Sequence, residues 1–218
     1  MNKTDVLTRI REISLIPVVR AESSDMALRA VAALKAGGLN VLEVTMTVPG
    51  AIEVIRSLSS EFGDDALIGA GTVLDPETAQ ACIQAGAQFI VSPALNLKTI
   101  EFCRNQDIAI FPGALTPTEV VQAWQAGADA VKVFPAGAVG GASYLKALKA
   151  PFPQIELVPT GGVSLKTAAD FLKAGAMALG VGADLVDTQA LREGNAQQIT
   201  DRARQYLEIV QSTRASTA

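Results

Sequence analysis

Short runs of β-branched and other apolar residues alternate with longer amphipathic segments along the 218-residue chain, and this alternation constrains the fold more than any other feature. It is typical of a parallel β-sheet whose strands are joined by crossover helices. Segments with the length and composition of buried strands occupy residues 16–20, 41–45, 67–70, 89–92, 108–111, 130–134, 155–158 and 178–181. The sequence therefore predicts an α/β fold with eight strands.

Four Ala-Gly motifs punctuate this pattern, at residues 35–38, 84–87, 125–128 and 173–176. Each follows a helical pattern, and glycine suits this place because it readily adopts the left-handed conformation that often ends a helix. Capping residues or early prolines mark the starts of helices at residues 47–49, 75–77, 116–119 and at Ser164. The motifs recur before every second strand, as a regular βα repeat predicts.

The even spacing of the strands, without an obvious topological break, favours a closed barrel over an open doubly wound sheet. A chain of this length buries most of its apolar surface in one core. We therefore expect residues 1–218 to form a single domain, a (β/α)8 TIM barrel with an extra N-terminal helix at about Lys3–Ile13.

The sequence contains no histidine. This absence excludes a zinc site built on imidazole ligands, a Ser-His-Asp triad and a histidine general base. No metal site is predicted. The chemistry must use lysine, carboxylate, hydroxyl, phenol or guanidinium groups.

Charge and hydropathy exclude two classes of partner. The net charge is −4 and no basic tract occurs, so we expect no nucleic-acid partner. The first residues are polar and no apolar run is long enough to cross a bilayer, so we expect no signal peptide and no membrane partner, and a cytoplasmic location. Cys82 and Cys103 lie in separate helical patterns, where we expect buried packing residues rather than a disulfide.

Lys132 is the candidate nucleophile. The chain has eight lysines, and the other seven lie in the leading segment, in helical stretches or at helix ends, where a solvated charge explains them. Lys132 lies between Val131 and Val133 in a predicted strand, so its amine enters the packed interior or its rim. Burial disfavours the ammonium form and leaves an amine that condenses with a ketone. The alternative is a strand lysine that reaches solvent at the rim.

Glu43 is the candidate acid and base. It lies between Leu42 and Val44 in a predicted strand, where a carboxylate is costly unless it has a task. Schiff-base chemistry moves protons on and off the substrate, and in a chain without histidine a carboxylate is the natural carrier. The alternative is a buried partner of Lys132 with no role in proton transfer.

Further candidates lie at the ends of the predicted strands. Arg20 and residues 69–72, 159–163 and 180–183 end or follow strands, and in a barrel these positions face the mouth of the active site. Glycines after the seventh and eighth strands let backbone N–H groups approach an anion. This placement predicts a phosphate-binding site there.

Five motifs occur in one order along the chain, at residues 42–45, 69–74, 89–93, 131–136 and 159–163. Together they resemble the class I KDPG/KHG aldolases, which act on 2-keto-3-deoxy-6-phosphogluconate and 4-hydroxy-2-oxoglutarate. The resemblance covers about residues 13–185.

The resemblance implies a homotrimer of barrels that cleaves a small-molecule 2-keto acid to pyruvate and an aldehyde, without a metal or an organic cofactor. It identifies Lys132 with the Schiff-base lysine and Glu43 with the acid and base, acting through a bound water. The residues that it places at the pyruvate end of the substrate are Thr72, Pro93, Phe134 and Thr160.

Two positions depart from the family pattern. Thr47 stands where the glucose-type enzymes have a substrate-binding arginine, and Arg20 is the candidate to replace that guanidinium from another direction, as in related galactonate-type enzymes. Ala183 stands where the family usually has a serine that helps to hold phosphate. Phosphate binding would then rest on backbone N–H groups of residues Gly161, Gly162, Gly182 and Ala183.

Three functions follow as hypotheses. The first is an aldolase for 2-keto-3-deoxy-6-phosphogluconate or a close analogue. The second is an aldolase for an unphosphorylated acid such as 4-hydroxy-2-oxoglutarate, which Thr47 and Ala183 favour. The third is a catalytically silent trimeric barrel that binds metabolites, and the presence of both Lys132 and Glu43 argues against it.

Overall fold

A computed structural model describes residues 1–216 and has an α/β fold. Its strands are β1 (Leu15–Val19), β2 (Val41–Thr45), β3 (Leu67–Gly71), β4 (Phe89–Val91), β5 (Ala109–Phe111), β6 (Gly113–Ala114), β7 (Val131–Val133), β8 (Leu157–Pro159) and β9 (Leu179–Val181). Its α-helices are α1 (Lys3–Ile13), α2 (Ser24–Ala36), α3 (Ala51–Phe62), α4 (Pro76–Gln84), α5 (Leu97–Asn105), α6 (Pro117–Gln125), α7 (Ala142–Lys149), α8 (Ala168–Lys173), α9 (Thr188–Arg192) and α10 (Gln197–Ala215). Short 3-10 helices occupy Gly63–Asp65 and Ala136–Val139.

All strand pairs are parallel, and together they form a curled sheet. One part has the order β5-β4-β3-β2-β1-β9, and the other has the order β6-β7-β8. Pro112 separates β5 from β6, because proline has no N–H to continue the ladder. At the other junction, Thr160 after β8 bridges Gly180 of β9, and the Met177 N–H donates to the Leu157 carbonyl at 2.9 Å.

Every segment predicted as a strand contains a strand, with ends shifted by one or two residues. The first runs over Leu15–Val19, so that Arg20 lies just beyond its end. The fifth begins at Ala109, one residue later than predicted, and an additional short strand, β6, follows Pro112 and was not predicted from the sequence. The seventh begins at Leu157 rather than at residue 155.

The helix signals had a mixed outcome. The four Ala-Gly motifs end helices as predicted, and their last glycines, such as Gly38 at φ 96°, are left-handed. The starts at Pro76 and Pro117 are confirmed. The other two starts were wrong by two to four residues: α3 begins at Ala51 after a left-handed glycine, and α8 begins only at Ala168, because residues 165–167 form a turn.

Two layers of apolar side chains hold the sheet. The larger layer packs the sheet against the surrounding helices, and it includes Cys82 and Cys103, which are buried free thiols as predicted. The smaller layer gathers side chains from several strands, including Phe89 and Phe111, around Val6 and Ile10 of α1. The helix α1 therefore covers one end of the sheet, where the strands begin.

The cationic side chains of α1 also bind at this end. Lys3 forms an ion pair with Asp129, which precedes β7, at 2.8 Å. Arg9 donates to the carbonyl oxygens of Asp64 and Asp65, which precede β3, at 2.7 and 2.6 Å. The opposite end, where the strands stop, remains available for a site.

Candidate active site

Lys132 and Glu43 meet inside the curled sheet. Lys132 is the middle residue of β7, and Glu43 is the middle residue of β2. The Lys132 Nζ lies 4.0 Å from the Glu43 Oε1, and the two side chains are only 3% and 2% exposed. The two charged residues that the sequence singled out within strands are thus a buried pair.

Gly71 at the end of β3 makes room for the carboxyl group. A Cβ atom at this position would lie 1.9 Å from the Glu43 Oε1, which is far inside van der Waals contact. The sequence assigned the motif at residues 69–72 to the mouth of a barrel but did not connect it with Glu43. The motif supplies the space in which the carboxyl group turns towards Lys132.

The carboxyl group of Glu43 lies near the Lys132 amine, but one of its oxygens accepts no hydrogen bond. Its Oε1 is buried and has no hydrogen-bond partner within residues 1–216. Burial raises the pKa of Glu43, and the Lys132 ammonium and the Arg20 guanidinium offset this shift only in part. The group is therefore poised to take up and release a proton, as a general acid and base must do.

A cavity of about 470 Å³ opens at the ends of β1, β7, β8 and β9. The predicted site residues that line it are Arg20, Phe134, Thr160, Gly161, Gly162, Gly182 and Ala183. Phe134 connects this cavity with the buried pair, because its ring centroid lies 5.4 Å from the Lys132 Nζ. One end of the cavity is thus close to the amine, and the other end is formed by glycine-rich backbone.

Three predicted site residues follow β2, β3 and β4, at the same end of the sheet, but do not line this cavity. The Thr47 hydroxyl lies 2.7 Å from the Thr45 hydroxyl at the end of β2. Thr72 directly follows Gly71 and has a left-handed backbone with φ 58°. The backbone of Pro93 lies against Gly113, whose absent Cβ would be 2.2 Å from the Pro93 carbonyl carbon. Gly113 is paired with Lys132, so Pro93 lies one strand away from the amine.

The cavity is also lined by residues that the sequence did not predict for the site, among them Ser164, which was predicted only as a helix start, and Asp184. Gly180 makes room for the side chain of Thr160, because a Cβ at position 180 would lie 2.1 Å from the Thr160 hydroxyl oxygen. The glycine pair at positions 180 and 182 was the available signal for Gly180. No local pattern marks Asp184, whose partners are distant in the chain.

Other features of the described residues lie apart from this site. A larger cavity of about 750 Å³ lies between α1 and α10 and is lined by residues such as Arg9, Asn40 and Leu207, at the opposite end of the sheet from Lys132. Within residues 1–216, no cluster of three or more His, Cys, Asp or Glu side chains could hold a metal ion. None of the helices described is long and apolar enough to cross a membrane.

A curled parallel sheet that carries a buried lysine beside a buried carboxyl group, with a cavity at the strand ends, is the arrangement that an enzyme forming a Schiff base with a carbonyl substrate requires. The family model described as KDPG and KHG aldolase matches residues 6–202. The chain belongs to the KDPG and KHG aldolase family.

Individual relatives agree with this membership. The 2-dehydro-3-deoxy-phosphogluconate aldolase of Treponema pallidum (strain Nichols) is 35% identical over 94% of this chain and 97% of its own length. The KDPG aldolase of Legionella pneumophila, whose structure captured pyruvate as a covalent carbinolamine, is 33% identical with a TM-score of 0.84 over 94% of this chain and 97% of that one. A cube-shaped cage designed by fusing symmetric oligomeric domains contains a chain that is 31% identical with a TM-score of 0.87, over 94% of this chain and 75% of that one.

Proposed function

We propose that this protein is a class I aldolase that cleaves 2-keto-3-deoxy-6-phosphogluconate, or a close analogue, to pyruvate and glyceraldehyde 3-phosphate. The observation that carries the proposal is the buried pair of Lys132 and Glu43, whose Nζ and Oε1 atoms are 4.0 Å apart. The relative from Treponema pallidum has this activity in its name.

The reaction begins when the neutral amine of Lys132 attacks the keto carbon of the substrate. The carbinolamine hydroxyl group takes up a proton and leaves as water, which gives a protonated imine (iminium ion) that withdraws electrons from the adjacent carbon. Glu43, acting through a bound water, removes the proton of the C4 hydroxyl group. The C3–C4 bond then breaks and the aldehyde leaves. The electron pair of the broken bond moves towards the imine nitrogen and forms an enamine of pyruvate on Lys132. Glu43 returns a proton to the enamine carbon, and water hydrolyses the imine to release pyruvate.

The cavity divides between the two ends of the substrate. Phe134 and Thr160, with Thr72 and Pro93 nearby, bind the pyruvate end next to Lys132. Arg20 supplies a guanidinium for an anionic group of the substrate. The phosphate binds backbone N–H groups of residues Gly161, Gly162, Gly182 and Ala183. The volume of about 470 Å³ and the lining of the cavity support this division.

An unphosphorylated substrate such as 4-hydroxy-2-oxoglutarate is the second candidate. Ala183 favours it, because a methyl group at the edge of the cavity offers no hydroxyl to a phosphate. The family description names both substrate types. The ratio of kcat/KM values for the two acids distinguishes the candidates. A silent metabolite-binding barrel is the third candidate. It is the least favoured, because burying the charges of Lys132 and Glu43 is costly and a protein without activity gives no reason for it.

The proposal includes the architecture and the assembly of the protein. We propose a single (β/α)8 barrel domain over residues 1–218, in which β5 and β6 act as one strand. The bridge between Thr160 and Gly180 and the bond from Met177 to Leu157 support closure of the barrel. We also propose a cytoplasmic homotrimer, and the similar chain in a cage of symmetric oligomers supports the formation of a symmetric oligomer.

The test is reduction with borohydride in the presence of pyruvate, followed by mapping of the labelled peptide by mass spectrometry. We expect the mass of reduced pyruvate on Lys132 alone. Lys132→Arg keeps the positive charge but abolishes trapping, because a guanidinium is not a nucleophile at neutral pH. Lys166→Arg is the matched control, since this exposed lysine lies close to the cavity in sequence and has no role in the mechanism.

Two results would contradict the proposal. Labelling of Lys166 or of another lysine would show that the nucleophile is assigned to the wrong residue. Absence of labelling in the folded wild-type protein, with pyruvate at saturating concentration, would favour the silent barrel instead.

A further inference from the structure

Two loops from neighbouring strands form the glycine-rich end of the cavity. Residues 161–164 follow β8, and residues 182–184 follow β9. Among the described residues, the backbone N–H groups of Gly162, Val163 and Ala183 have no hydrogen-bond acceptor. An anion that binds N–H groups from both loops requires a fixed distance between the loops, because hydrogen bonds weaken steeply when their geometry is distorted. A hydrogen bond that joins the two loops would keep this distance fixed.

Asp184 makes this connection. It belongs to the second loop, and its Oδ2 atom accepts a hydrogen bond at 3.3 Å from the backbone N–H of Leu165, directly after the first loop. The same oxygen accepts a bond at 2.5 Å from the hydroxyl group of Tyr206 in α10. One carboxylate oxygen thus joins both loops to a helix on the outside of the sheet.

Tyr206 anchors this connection in the core. Its residue exposure is 0%, and it is the largest of the fully buried side chains in the described part of the chain. Burial and the neighbouring Asp184 raise the pKa of Tyr206 well above its usual range, so the hydroxyl keeps its proton and acts as a donor. Arg202, one helical turn before it, donates to the backbone carbonyl of Asp184. The helix α10 therefore holds both the side chain and the backbone of this residue.

A phenylalanine would fill the same space in the core, so the hydroxyl group of Tyr206 needs a separate reason. A buried hydroxyl is costly unless it is hydrogen-bonded, and among the described residues the only partner of this hydroxyl is Asp184. Asp184 itself lines the cavity, whereas Tyr206 does not. The hydroxyl group thus acts on the cavity through the carboxylate.

We propose that Asp184 and Tyr206 are positioning residues that fix the distance between the two loops and thereby set the affinity for the distal anion of the substrate. This inference rests on the proposed function, in which the loops bind the phosphate. Among the described residues, neither of the two forms a hydrogen bond or an ion pair with Lys132 or Glu43. A contact to the distal anion is made equally in the ground state and in the transition state, so its loss raises KM and leaves kcat unchanged.

The primary variant is Tyr206→Phe, which removes one oxygen atom. We expect KM for 2-keto-3-deoxy-6-phosphogluconate to rise about three- to tenfold, with kcat nearly unchanged and with no change in KM for 4-hydroxy-2-oxoglutarate. Tyr144→Phe is the matched control. Tyr144 is the other of the two tyrosines in the chain, and its hydroxyl donates to the Leu115 carbonyl, outside the cavity lining. We expect this control to leave both KM values unchanged.

Variants of Asp184 test the same connection from its other side. Asp184→Asn retains an oxygen that accepts hydrogen bonds, so we expect a smaller rise in KM than for Asp184→Ala, which retains none. In the Asp184→Ala variant, the hydroxyl group of Tyr206 no longer has its acceptor. We therefore expect the additional substitution Tyr206→Phe to cause no further change in KM. Inorganic phosphate, as an inhibitor of 4-hydroxy-2-oxoglutarate cleavage, gives an independent measure, and we expect its inhibition constant to rise in parallel.

The outcomes distinguish failure of the proposed phosphate-binding function from failure of the proposed role of Asp184 and Tyr206. If the wild-type enzyme shows neither a preference for the phosphorylated acid nor inhibition by phosphate, both the phosphate-binding function and this inference are overturned. If the wild-type enzyme shows both but Tyr206→Phe leaves KM and the phosphate constant unchanged, the inference alone is overturned. The same holds if KM rises equally for both substrates, or if additivity persists in the Asp184→Ala background. If Tyr206→Phe does not fold, the order of the two Asp184 variants decides.

Discussion

At the scale of single residues, Glu43 shows how much of this site depends on one carboxyl group. The group is buried, one of its oxygens has no partner within residues 1–216, and a glycine at position 71 makes the room that it occupies. The chain has no histidine, and within residues 1–216 no other acidic side chain is buried as Glu43 is. Proton transfer in the proposed reaction therefore depends on Glu43.

We expect Glu43→Gln to lose turnover by about a hundred- to ten-thousandfold, the usual contribution of general acid–base catalysis. The amide has nearly the same shape as the carboxyl group, so we expect the variant to fold and to retain part of the borohydride trapping. Steady-state kinetics with the phosphorylated acid measure the loss. Nearly normal turnover would mean that another group, such as a water held by Thr72, moves the protons.

The raised pKa of Glu43 also predicts how the free energy of unfolding depends on pH. Burial raises the pKa of Glu43 above its value of 4.5 in an unfolded chain, so the folded state binds the proton more tightly than the unfolded state. The free energy of unfolding must then decrease as pH rises from below 4.5 through the raised pKa. We expect the wild type to lose stability relative to Glu43→Gln over this range. Denaturant titrations of both proteins at several pH values measure it, and a growing advantage of the wild type would contradict the prediction.

Ala183 tests the distal end of the site. The residue is exposed at the edge of the cavity, and a serine there would add a hydroxyl donor for an anion. We expect Ala183→Ser to lower KM for the phosphorylated acid by about three- to a hundredfold, because a hydrogen bond contributes about 0.5–1.5 kcal/mol between neutral groups and up to about 3 kcal/mol to a charged group. KM for 4-hydroxy-2-oxoglutarate serves as the internal control and is expected to stay the same. If neither value changes and the unphosphorylated acid is preferred, the pocket does not bind phosphate.

At the scale of secondary-structure elements, α1 lies where the strands begin, whereas α10 extends from α1 to the loops where the strands stop. The helix α1 inserts Val6 and Ile10 into the inner layer of side chains, where the strands begin. The helix α10 buries a stripe that includes Ile199, Ala203 and Tyr206, and it reaches the loops where the strands stop. The first helix therefore contributes to stability, and the last contributes to the geometry of the site.

We expect Ile10→Ala to lower the free energy of unfolding by about 2–5 kcal/mol, because it removes a fully buried side chain and leaves a cavity. Turnover at 25 °C is expected to stay nearly unchanged, since α1 lies at the end of the sheet away from Lys132. Thr4→Ala, at an exposed position of the same helix, is the control, and we expect little change in stability. Denaturant unfolding and steady-state kinetics together test the prediction, and a large loss of turnover in folded Ile10→Ala would contradict it.

At the scale of the whole molecule, two exposed leucines offer apolar surface for contact with another copy of the chain. Leu74 and Leu97 are 52% and 54% exposed, and the Asn96 amide, next to Leu97 in the chain, donates to the Leu74 carbonyl at 2.9 Å. Exposed apolar side chains are frequent in surfaces that contact another chain. This feature is compatible with the proposed trimer.

We expect a molar mass in solution of three times the 22.6 kDa of one chain, independent of protein concentration in the micromolar range. A closed trimer has cyclic symmetry and does not grow further, so a single species is expected. Light scattering after size-exclusion chromatography measures the mass. A monomer or a dimer as the stable species would contradict the proposal, whereas the active-site predictions would be unaffected.

The sequence by itself determined the strands, the punctuating glycines and the two candidate catalytic residues. These are local signals: a run of β-branched residues predicts a strand wherever it occurs, and a lysine or a glutamate between valines and leucines is out of place without any knowledge of its neighbours. The same reasoning placed the ends of the strands, and therefore Arg20, Thr160 and the glycine-rich loops, on one side of the molecule.

Only the tertiary structure decided which of these residues touch. That Gly71 makes room for Glu43, and that Pro93 lies against the partner of Lys132, depends on the register between strands. The bond from Tyr206 to Asp184 joins residues 22 positions apart, on two elements that sequence reasoning did not connect. Spacing along the chain does not encode such contacts, because they arise only when the curl of the sheet and the packing of helices bring distant residues to within hydrogen-bond distance.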